Sequence, residues 1–257
     1  MIFDNICANI AECRARIEDD FKIDLTANMK SHKVFLRGEN YPYEKTESSM
    51  KRFLTAEDGE TMRPFYLVSP FIDFEDIYSE YHSTTYGLNE EEGAGFLQHY
   101  GFPTDLFDLS PSFDTARFFA THGRECDQIG IIGAFYRNEM ERHFTITNLS
   151  KHPFAQRPRN QSAYAGRPGW GIIDLKSQLC DSLFTSRWYR FKKSSDDFAF
   201  SSARITTAYP TEAEIAYFFG RDLDEFIKGH WTYKEMTEEQ RLLIQEKINS
   251  IRSQLKS

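Results

Sequence analysis

The sequence predicts an α+β protein with a mixed, mainly antiparallel central sheet flanked by helices. Its 257 residues lie within the range of one elaborated domain. Apolar residues recur with a helical period near both ends of the chain, over residues 1–30 and 237–255, and apolar runs typical of strands lie between them. We therefore expect a single domain over residues 1–257, with its core at residues 31–220.

The composition favours a packed protein that is not a general duplex binder. Hydrophobic residues make up 40% of the chain and aromatic residues 15%, which is enough to fill a core. The formal net charge of -8 counts against general binding to duplex nucleic acid, which depends on Lys and Arg at phosphates. A basic stretch at residues 187–193 mixes cations with aromatic rings, and it fits either a nucleic-acid surface or the solvated face of a strand.

The four cysteines are Cys7, Cys13, Cys126 and Cys180, and their spacing matches neither a zinc site nor a disulfide framework. We expect them to be reduced and structural, and we expect no bound metal. The N-terminal segment contains acidic residues and no long apolar run, so it predicts neither a signal peptide nor a membrane anchor. A cytoplasmic location is the resulting expectation.

In the first half of the chain, Ile10, Ile17 and Phe21 recur with a helical period. An apolar run at residues 34–36 predicts a strand that ends in a turn at Gly38 and Asn40. Further along we expect a short helix at residues 49–53, a helix after Ser69-Pro70 and a Gly-rich acidic surface loop at residues 84–95.

The segment from residue 96 to residue 123 alternates packed elements with polar turns. Gly101 and Pro103 end one helix, residues 106–109 form a short strand, and Ser110-Pro111 open a second helix. In the second half we expect strands at 129–137, 143–149 and 186–192, helices at 211–219 and 237–255 capped by Thr211 and Thr237, and an irregular loop at 151–170.

Four motifs in a fixed order resemble the FRG-domain family, which is named for a Phe/Leu-Arg-Gly tripeptide. They are Leu36-Arg37-Gly38, Gln98-His99-Tyr100-Gly101-Phe102-Pro103-Thr104, Leu106-Phe107-Asp108-Leu109-Ser110 and Ala116-Arg117-Phe118-Phe119-Ala120. The family also tends to carry an Arg and a Gln in a later loop, and Arg157 with Gln161 resembles that element. The chain departs from the family at Asp105, Leu109 and Glu39, where the family usually has Arg, Trp and often Gln.

A strand ending in Arg-Gly, a strand ending in a hydroxyl residue and a following helix are together similar to the layout of mono-ADP-ribosyltransferases. This resemblance implies an ADP-ribosyltransferase-like fold with NAD as a substrate. Arg37 would bind an NAD phosphate or ribose, because a guanidinium offers rigid donors to phosphate oxygens. Ser110 would take the hydroxyl role near the nicotinamide ribose. Gln161 is the candidate for the third position, and Glu214 is the alternative.

Other polar residues near the predicted element ends complete the candidate site. Asp108 would stabilise the positive charge that develops at the ribose carbon as nicotinamide leaves. His99 would shuttle a proton near neutral pH, and His99 and Tyr100 would stack on the nicotinamide ring. The remaining candidates for NAD binding are Gly38, Glu39, Gln98, Thr104 and Arg157.

Each of these residues also has a structural interpretation. Arg37 would form a buried ion pair with Asp108 that fixes a turn. His99 and Tyr100 would bond to backbone carbonyls, and the glycines would set turn geometry. Ser110 would cap the helix that begins at Pro111.

Three functions follow from these patterns. The first is an NAD-consuming, ADP-ribosyltransferase-like enzyme that modifies a macromolecule, as a toxin or an anti-phage defence effector with a possible cognate inhibitor. The second is a non-catalytic module that binds a nucleotide or single-stranded nucleic acid. The third is a nuclease or nucleotide hydrolase acting through His99 and Asp108.

Overall fold

The computed structural model describes residues 6–26, 33–54, 69–122, 128–169, 174–203 and 210–254. The chain forms two compact units, each assembled from three separated stretches. Unit 1 comprises the described residues of Met1–Thr46, Asp108–Ile146 and Gln161–Ala208, and unit 2 those of Glu47–Phe107, Thr147–Asn160 and Tyr209–Ser257. Neither unit is a contiguous segment, and the prediction of one domain over residues 1–257 stays a prediction.

Helices and strands follow one another along the described chain in the order of an α+β protein. The first half contains β1 (Ile6–Cys7), α1 (Ile10–Phe21), β2 (Val34–Glu39), α2 (Ser49–Leu54), α3 (Ser69–Tyr86), α4 (Glu90–His99), β3 (Phe107–Leu109) and α5 (Phe113–Thr121). The second half contains β4 (Ile129–Tyr136), α6 (Arg137–Met140), β5 (Phe144–Asn148), a 3-10 turn (Leu149–Lys151), α7 (Gln156–Asn160), β6 (Tyr164–Pro168), α8 (Gln178–Leu183), β7 (Ser186–Lys192), α9 (Ser195–Ala203), α10 (Glu212–Phe218), α11 (Arg221–Gly229), α12 (Trp231–Glu235) and α13 (Glu238–Ser253).

A four-stranded sheet with the order β1-β7-β4-β2 forms the centre of unit 1. Strand β1 is parallel to β7, whereas β7 and β2 are both antiparallel to β4. The predicted mixed, mainly antiparallel sheet is therefore confirmed. A second sheet has the order β3-β6-β5.

One hydrophobic cluster of unit 1 lies on the face of the four-stranded sheet that is covered by α1 and α5. Val34 and Leu36 of β2 and Ile132 of β4 are buried there together with α1 and α5. Since side chains alternate along a strand, Arg37 and Glu39 lie on the opposite face of β2. The core therefore fixes the orientation of the candidate-site face.

Unit 2 is helical and has an aromatic interior. Helix α3 packs against α4, α11, α12 and α13. Phe74 of α3 stacks on Phe102 with a centroid distance of 4.9 Å, and Phe96 of α4 lies 4.5 Å from Phe218 of α10. Burial of large apolar rings is the main stabilising contribution in such an interior.

The predicted loop at residues 84–95 is wrong. Helix α3 continues to Tyr86, and α4 begins at Glu90 after Asn89, whose side chain forms a capping box with Glu92. Gly93 lies within α4, and a Cβ built on it would lie 2.7 Å from the Ser79 hydroxyl oxygen of α3. The small residues of this segment permit close helix packing.

The predicted irregular loop at residues 151–170 is also wrong in part. It contains α7, a strand β6 that pairs within the second sheet, and irregular residues between them. The helix after Ser110-Pro111 begins later than predicted, because Ser112 is its N-cap and accepts a hydrogen bond from Thr115 N. Ser110 is therefore free of the capping role.

Most other predicted elements are confirmed to within a few residues. Helices α10 and α13 have the predicted caps, Thr211 and Thr237, each in a capping box.

Cys7, Cys13 and Cys180 are buried free thiols, and Cys126 lies outside the described residues. Within the described part of the chain, no helix combines the length and apolar character needed to cross a membrane.

Candidate functional site

The sequence-predicted site residues divide between the two units. Unit 1 holds Arg37, Gly38, Glu39, Asp108, Ser110 and Gln161, and unit 2 holds Gln98, His99, Tyr100, Thr104, Arg157 and Glu214. We describe each group by itself.

Arg37 projects from β2, and only 13% of its side chain is exposed. Its Nη1 donates a hydrogen bond of 2.9 Å to the backbone carbonyl of Asp108. Its Nε lies 3.6 Å from Glu39 Oε1, and this buried Nε has no hydrogen-bond acceptor among the described residues. The guanidinium is thus held at one end and retains an unused donor.

The predicted ion pair between Arg37 and Asp108 is wrong. The guanidinium bonds to the main chain of Asp108, and the Asp108 residue itself is exposed. Strand β3 is only three residues long, and its pleat directs the middle residue, Asp108, away from the buried Phe107 and Leu109. The Asp108 carboxylate is therefore at the surface of unit 1.

Glu39 is bound by a lysine that the sequence analysis missed. Lys176 Nζ donates to Glu39 Oε2 at 2.6 Å and to the carbonyl of Tyr43 at 2.6 Å, and Thr46 Oγ1 donates to Glu39 Oε1 at 2.6 Å. The Lys176 side chain is fully buried. Burial lowers the pKa of Lys176, and the Glu39 carboxylate opposes that effect. A partner 137 positions away leaves no signal in sequence spacing.

Ser110 connects Arg37 with Gln161. Leu36 and Ser110 form an antiparallel bridge, with Leu36 N to Ser110 O at 2.7 Å and Ser110 N to Leu36 O at 2.9 Å. The Ser110 hydroxyl donates to the backbone carbonyl of Gln161 at 2.9 Å and accepts from Ser112 N. The structure thus brings together the chain segments of three predicted site residues, Arg37, Ser110 and Gln161.

In unit 2, Glu214 is saturated with hydrogen bonds. Its Oε1 accepts from the Tyr100 hydroxyl at 3.1 Å and from Arg157 N at 2.7 Å. Its Oε2 accepts from the backbone and hydroxyl of Thr211 in the capping box. Both oxygens therefore stabilise the fold of unit 2.

His99 and Tyr100 are buried in unit 2. Burial, and next the positive charge of Arg157, hold the pKa of His99 well below its ordinary value. Burial also raises the pKa of Tyr100, and Glu214 adds to this effect. This shift favours the neutral imidazole, and the predicted role of His99 as a proton shuttle stays a prediction.

Gln98 and Thr104 also bond to each other within unit 2. The Thr104 hydroxyl donates to Gln98 Oε1 at 3.0 Å, and the Thr104 carbonyl accepts from Met50 N at 2.8 Å. These contacts fix the turn after Gly101, whose φ of +98° favours glycine.

Residues 32–128 match the family model of the FRG domain. This match supports the resemblance of the four motifs to the FRG domain over these residues. The four recognised motifs all lie inside the matched residues, whereas Arg157, Gln161 and Lys176 lie outside them. No curated protein and no solved structure matches the chain.

Two of the FRG motifs contact each other. A Cβ built on Gly38 would lie 1.9 Å from the carbonyl oxygen of Ala116 and 2.8 Å from Ala120 N. The glycine of the tripeptide and the two alanines of the helix motif therefore allow β2 to pass directly against α5. This contact places the neighbouring Arg37 on the opposite face of the strand.

The basic stretch at residues 187–193 does not form one cationic face. Arg187 forms an ion pair of 3.0 Å with Asp20, and Tyr189 donates to the same carboxylate at 2.7 Å. Trp188 and Arg190 alternate to the other face of β7.

No group of three or more potential ligands among the described His, Cys, Asp and Glu side chains is arranged to hold a metal ion.

Proposed function

We propose that this protein is an NAD-consuming, ADP-ribosyltransferase-like enzyme that modifies a macromolecule, with its site in unit 1. The observation that carries the proposal is the bridge between Leu36 and Ser110 together with the hydrogen bond from Ser110 to Gln161. These contacts bring into one cluster the chain segments that carry an arginine, a hydroxyl residue and a glutamine, which come from distant parts of the chain. The same three residue types define the layout that the sequence resembles.

In this proposal Arg37 binds a phosphate of NAD. Its Nε is a buried donor without an acceptor among the described residues, and guanidinium donors form strong bonds to phosphate oxygens. The bond from Nη1 to the Asp108 carbonyl holds the fork in one orientation. A preorganised donor of this kind loses little freedom when the ligand binds.

In the transfer itself, the bond between nicotinamide and ribose breaks and its electron pair leaves with nicotinamide. The acceptor nucleophile then bonds to the ribose carbon and releases a proton. Asp108, whose residue is exposed two positions before Ser110, is the carboxylate near the cluster that stabilises the positive ribose carbon. Gln161 is preferred to Glu214 as the third residue, because Gln161 lies in unit 1 with Arg37 and Ser110, whereas Glu214 lies in unit 2.

Two observations count against the competing functions. A hydrolase that uses His99 as an acid or base near neutral pH needs an imidazole that titrates there, whereas burial lowers the pKa of His99 well below its ordinary value. A binding surface for single-stranded nucleic acid needs cations along one groove, whereas those of β7 alternate between its faces.

Replacing Arg37 tests the proposed function. We expect Arg37→Ala to weaken NAD binding by about 10- to 100-fold, because charged hydrogen bonds to phosphate are lost. Label transfer from NAD to a cell lysate and nicotinamide release fall in parallel. The free energy of unfolding falls by only about 1–2 kcal/mol, the value of the bond to Asp108.

Two further variants serve as controls. Arg37→Lys keeps the charge but not the fork, and we expect it to restore only part of the binding. Arg187→Ala removes a cation from the opposite face of the sheet, and we expect normal NAD binding. Wild-type protein that neither binds NAD nor releases nicotinamide would exclude the proposal.

A further inference from the structure

Two exposed tyrosines follow the strand that carries Arg37. Tyr41 is 45% exposed and Tyr43 is 43% exposed, and their rings meet edge to face with centroids 5.2 Å apart. Strand β2 ends at Glu39, so the chain from Arg37 to Tyr41 spans at most about 14 Å. An aromatic surface therefore lies at the end of the strand that holds the guanidinium.

The backbone of this segment is fixed from several sides of unit 1. The buried Lys176 donates to the Tyr43 carbonyl, and Tyr43 N donates to the Tyr41 carbonyl at 2.9 Å. Between the strand and the tyrosines, the Asn40 side chain donates to the carbonyl of His122, and Lys193 Nζ donates to the Asn40 carbonyl. The backbone that carries the two exposed rings is thus held by hydrogen bonds within unit 1.

The residues beside the tyrosines include buried hydrogen-bond donors. Arg37 and Lys176 carry two positive charges, and the carboxylates of Glu39 and Asp174 balance them. On the same face of the sheet, Trp188 pairs with Gly133 opposite Arg37, and Lys176 Nζ lies 4.6 Å from the centre of its ring. Trp188 is 8% exposed, and its Nε1 has no hydrogen-bond partner among the described residues.

Arg37 Nε and Trp188 Nε1 are buried atoms without hydrogen-bond partners among the described residues, and both are donors. Buried donors without partners favour a ligand that supplies acceptor oxygens, and a guanidinium donor forms its strongest bonds to charged oxygens such as those of phosphate. Exposed aromatic rings favour a planar heterocycle, since every nucleobase stacks on such a ring. A ligand that has a planar base joined to phosphate satisfies both requirements.

We infer that Tyr41 and Tyr43 form the base-binding subsite of a nucleotide whose diphosphate binds at Arg37. The inference rests on the proposed function and extends it, because it adds two residues that the recognised motifs do not include. Stacking selects the base, and the donors beside Glu39 select the phosphates. The base is joined to its phosphates through a ribose, which lets it reach from the guanidinium to the tyrosines.

The test measures binding by calorimetry with ADP, nicotinamide mononucleotide and inorganic pyrophosphate. We expect Tyr41→Ala and Tyr43→Ala to weaken binding of ADP or of the mononucleotide by about 5- to 100-fold, since stacking contributes on this scale for each base. Binding of pyrophosphate, which has no base, stays unchanged. Whichever nucleotide responds identifies the half of NAD that the tyrosines bind.

Matched variants distinguish a loss of ring stacking from a disturbance of the fold. Tyr41→Phe and Tyr43→Phe keep the ring, and we expect them to retain most of the affinity. Trp231→Ala removes an exposed aromatic ring from unit 2, and we expect no effect. Equal losses for pyrophosphate and nucleotide, or no loss at all, would overturn the inference.

The outcomes also separate this inference from the proposed function. Tyrosine-dependent nucleotide binding without nicotinamide release supports the subsite and contradicts the enzyme. NAD turnover with an unchanged KM in Tyr41→Ala and Tyr43→Ala supports the enzyme and contradicts the subsite. Wild-type protein that binds none of the three probes contradicts the subsite directly.

Discussion

Glu39 and Lys176 form a pair of opposite charges that is almost completely removed from water. The pair has a distance of 2.6 Å, and the remaining acceptor and donor positions are used by Thr46 and by the Tyr43 carbonyl. Removing one partner of such a pair is costly because the other charge stays buried, whereas replacing both is often close to neutral. The pair thus links the position of β2 to that of the turn after it.

A double-mutant cycle tests this pair. We expect Lys176→Met to lower the free energy of unfolding by about 3 kcal/mol, because the Glu39 carboxylate loses the nearer of its two counter-charges and keeps only Arg37, at 3.6 Å. Adding Glu39→Gln restores most of that loss, since the amide still accepts from Thr46 and carries no charge. Urea unfolding of the four proteins gives the coupling energy. Additive losses in the double variant would show that the two side chains act independently.

The residues of the candidate site differ in how much their sequence context reveals. Arg37, Ser110 and Gln161 stand in recognisable motifs, and the structure brings their segments together. Lys176 has no motif, because it reaches Glu39 only through the fold. The sequence position of His99 says nothing about its burial. The proton role that the sequence predicts for His99 therefore takes no account of the lowered pKa that burial causes.

At the scale of elements, the contact between β2 and α5 determines the position of Arg37. A Cβ at Gly38 would overlap the helix backbone, which cannot rotate away as a side chain can. The strand and the helix would have to separate, and the bridge between Leu36 and Ser110 would shift with them. The glycine of the FRG tripeptide is therefore a packing requirement.

We expect Gly38→Ala to lower the free energy of unfolding by about 3 kcal/mol or more, as overpacking against a backbone does. Gly229→Ala is the matched control, because Gly229 ends α11 and a Cβ there meets nothing within 4 Å. We expect that control to change stability by less than about 1 kcal/mol. Thermal and urea unfolding measure both variants. A Gly38→Ala protein as stable as wild type would contradict the close contact.

The two segments wrongly predicted as loops fail for a shared reason. Gly93 and Gly95 weaken a helix locally, yet Gly93 allows α4 to approach Ser79 of α3, so tertiary packing outweighs the local preference. In the region of residues 151–170, the pairing of β6 with β3 and β5 supplies hydrogen bonds that composition does not reveal. Helices α10 and α13 are predicted correctly because their threonine caps and apolar periods are local signals, whereas the capping box of α4 stands beside glycines that indicate a loop.

At the scale of the whole molecule, the shifted histidines all belong to unit 2. Burial lowers the pKa of His82 to about 4, and it also lowers the pKa values of His99 and His152. His82 lies among aromatic rings, 4.2 Å from the centroid of Tyr78, and its Nε2 is 3.3 Å from the Phe218 carbonyl. A neutral imidazole suits this interior, and a protonated one does not.

This distribution predicts that the protein loses stability as pH falls below about 7. Each histidine has an ordinary pKa near 6.5 when unfolded and a lower one when folded, so the unfolded chain binds more protons in between. The stabilisation is complete above pH 6.5 and declines as pH approaches the folded value. For His82 alone we expect a loss of about 2 kcal/mol between pH 7 and pH 5.

Urea unfolding at a series of pH values measures this loss. His82→Gln keeps a donor for the Phe218 carbonyl but does not titrate, so its stability should change less steeply between pH 7 and pH 5 than that of wild type. The slope is the relevant quantity, since the substitution also changes packing at every pH. A wild-type stability that is constant or rises over this interval would mean that the histidines accept protons in the folded state as readily as in the unfolded one, and that the interior of unit 2 is open to water.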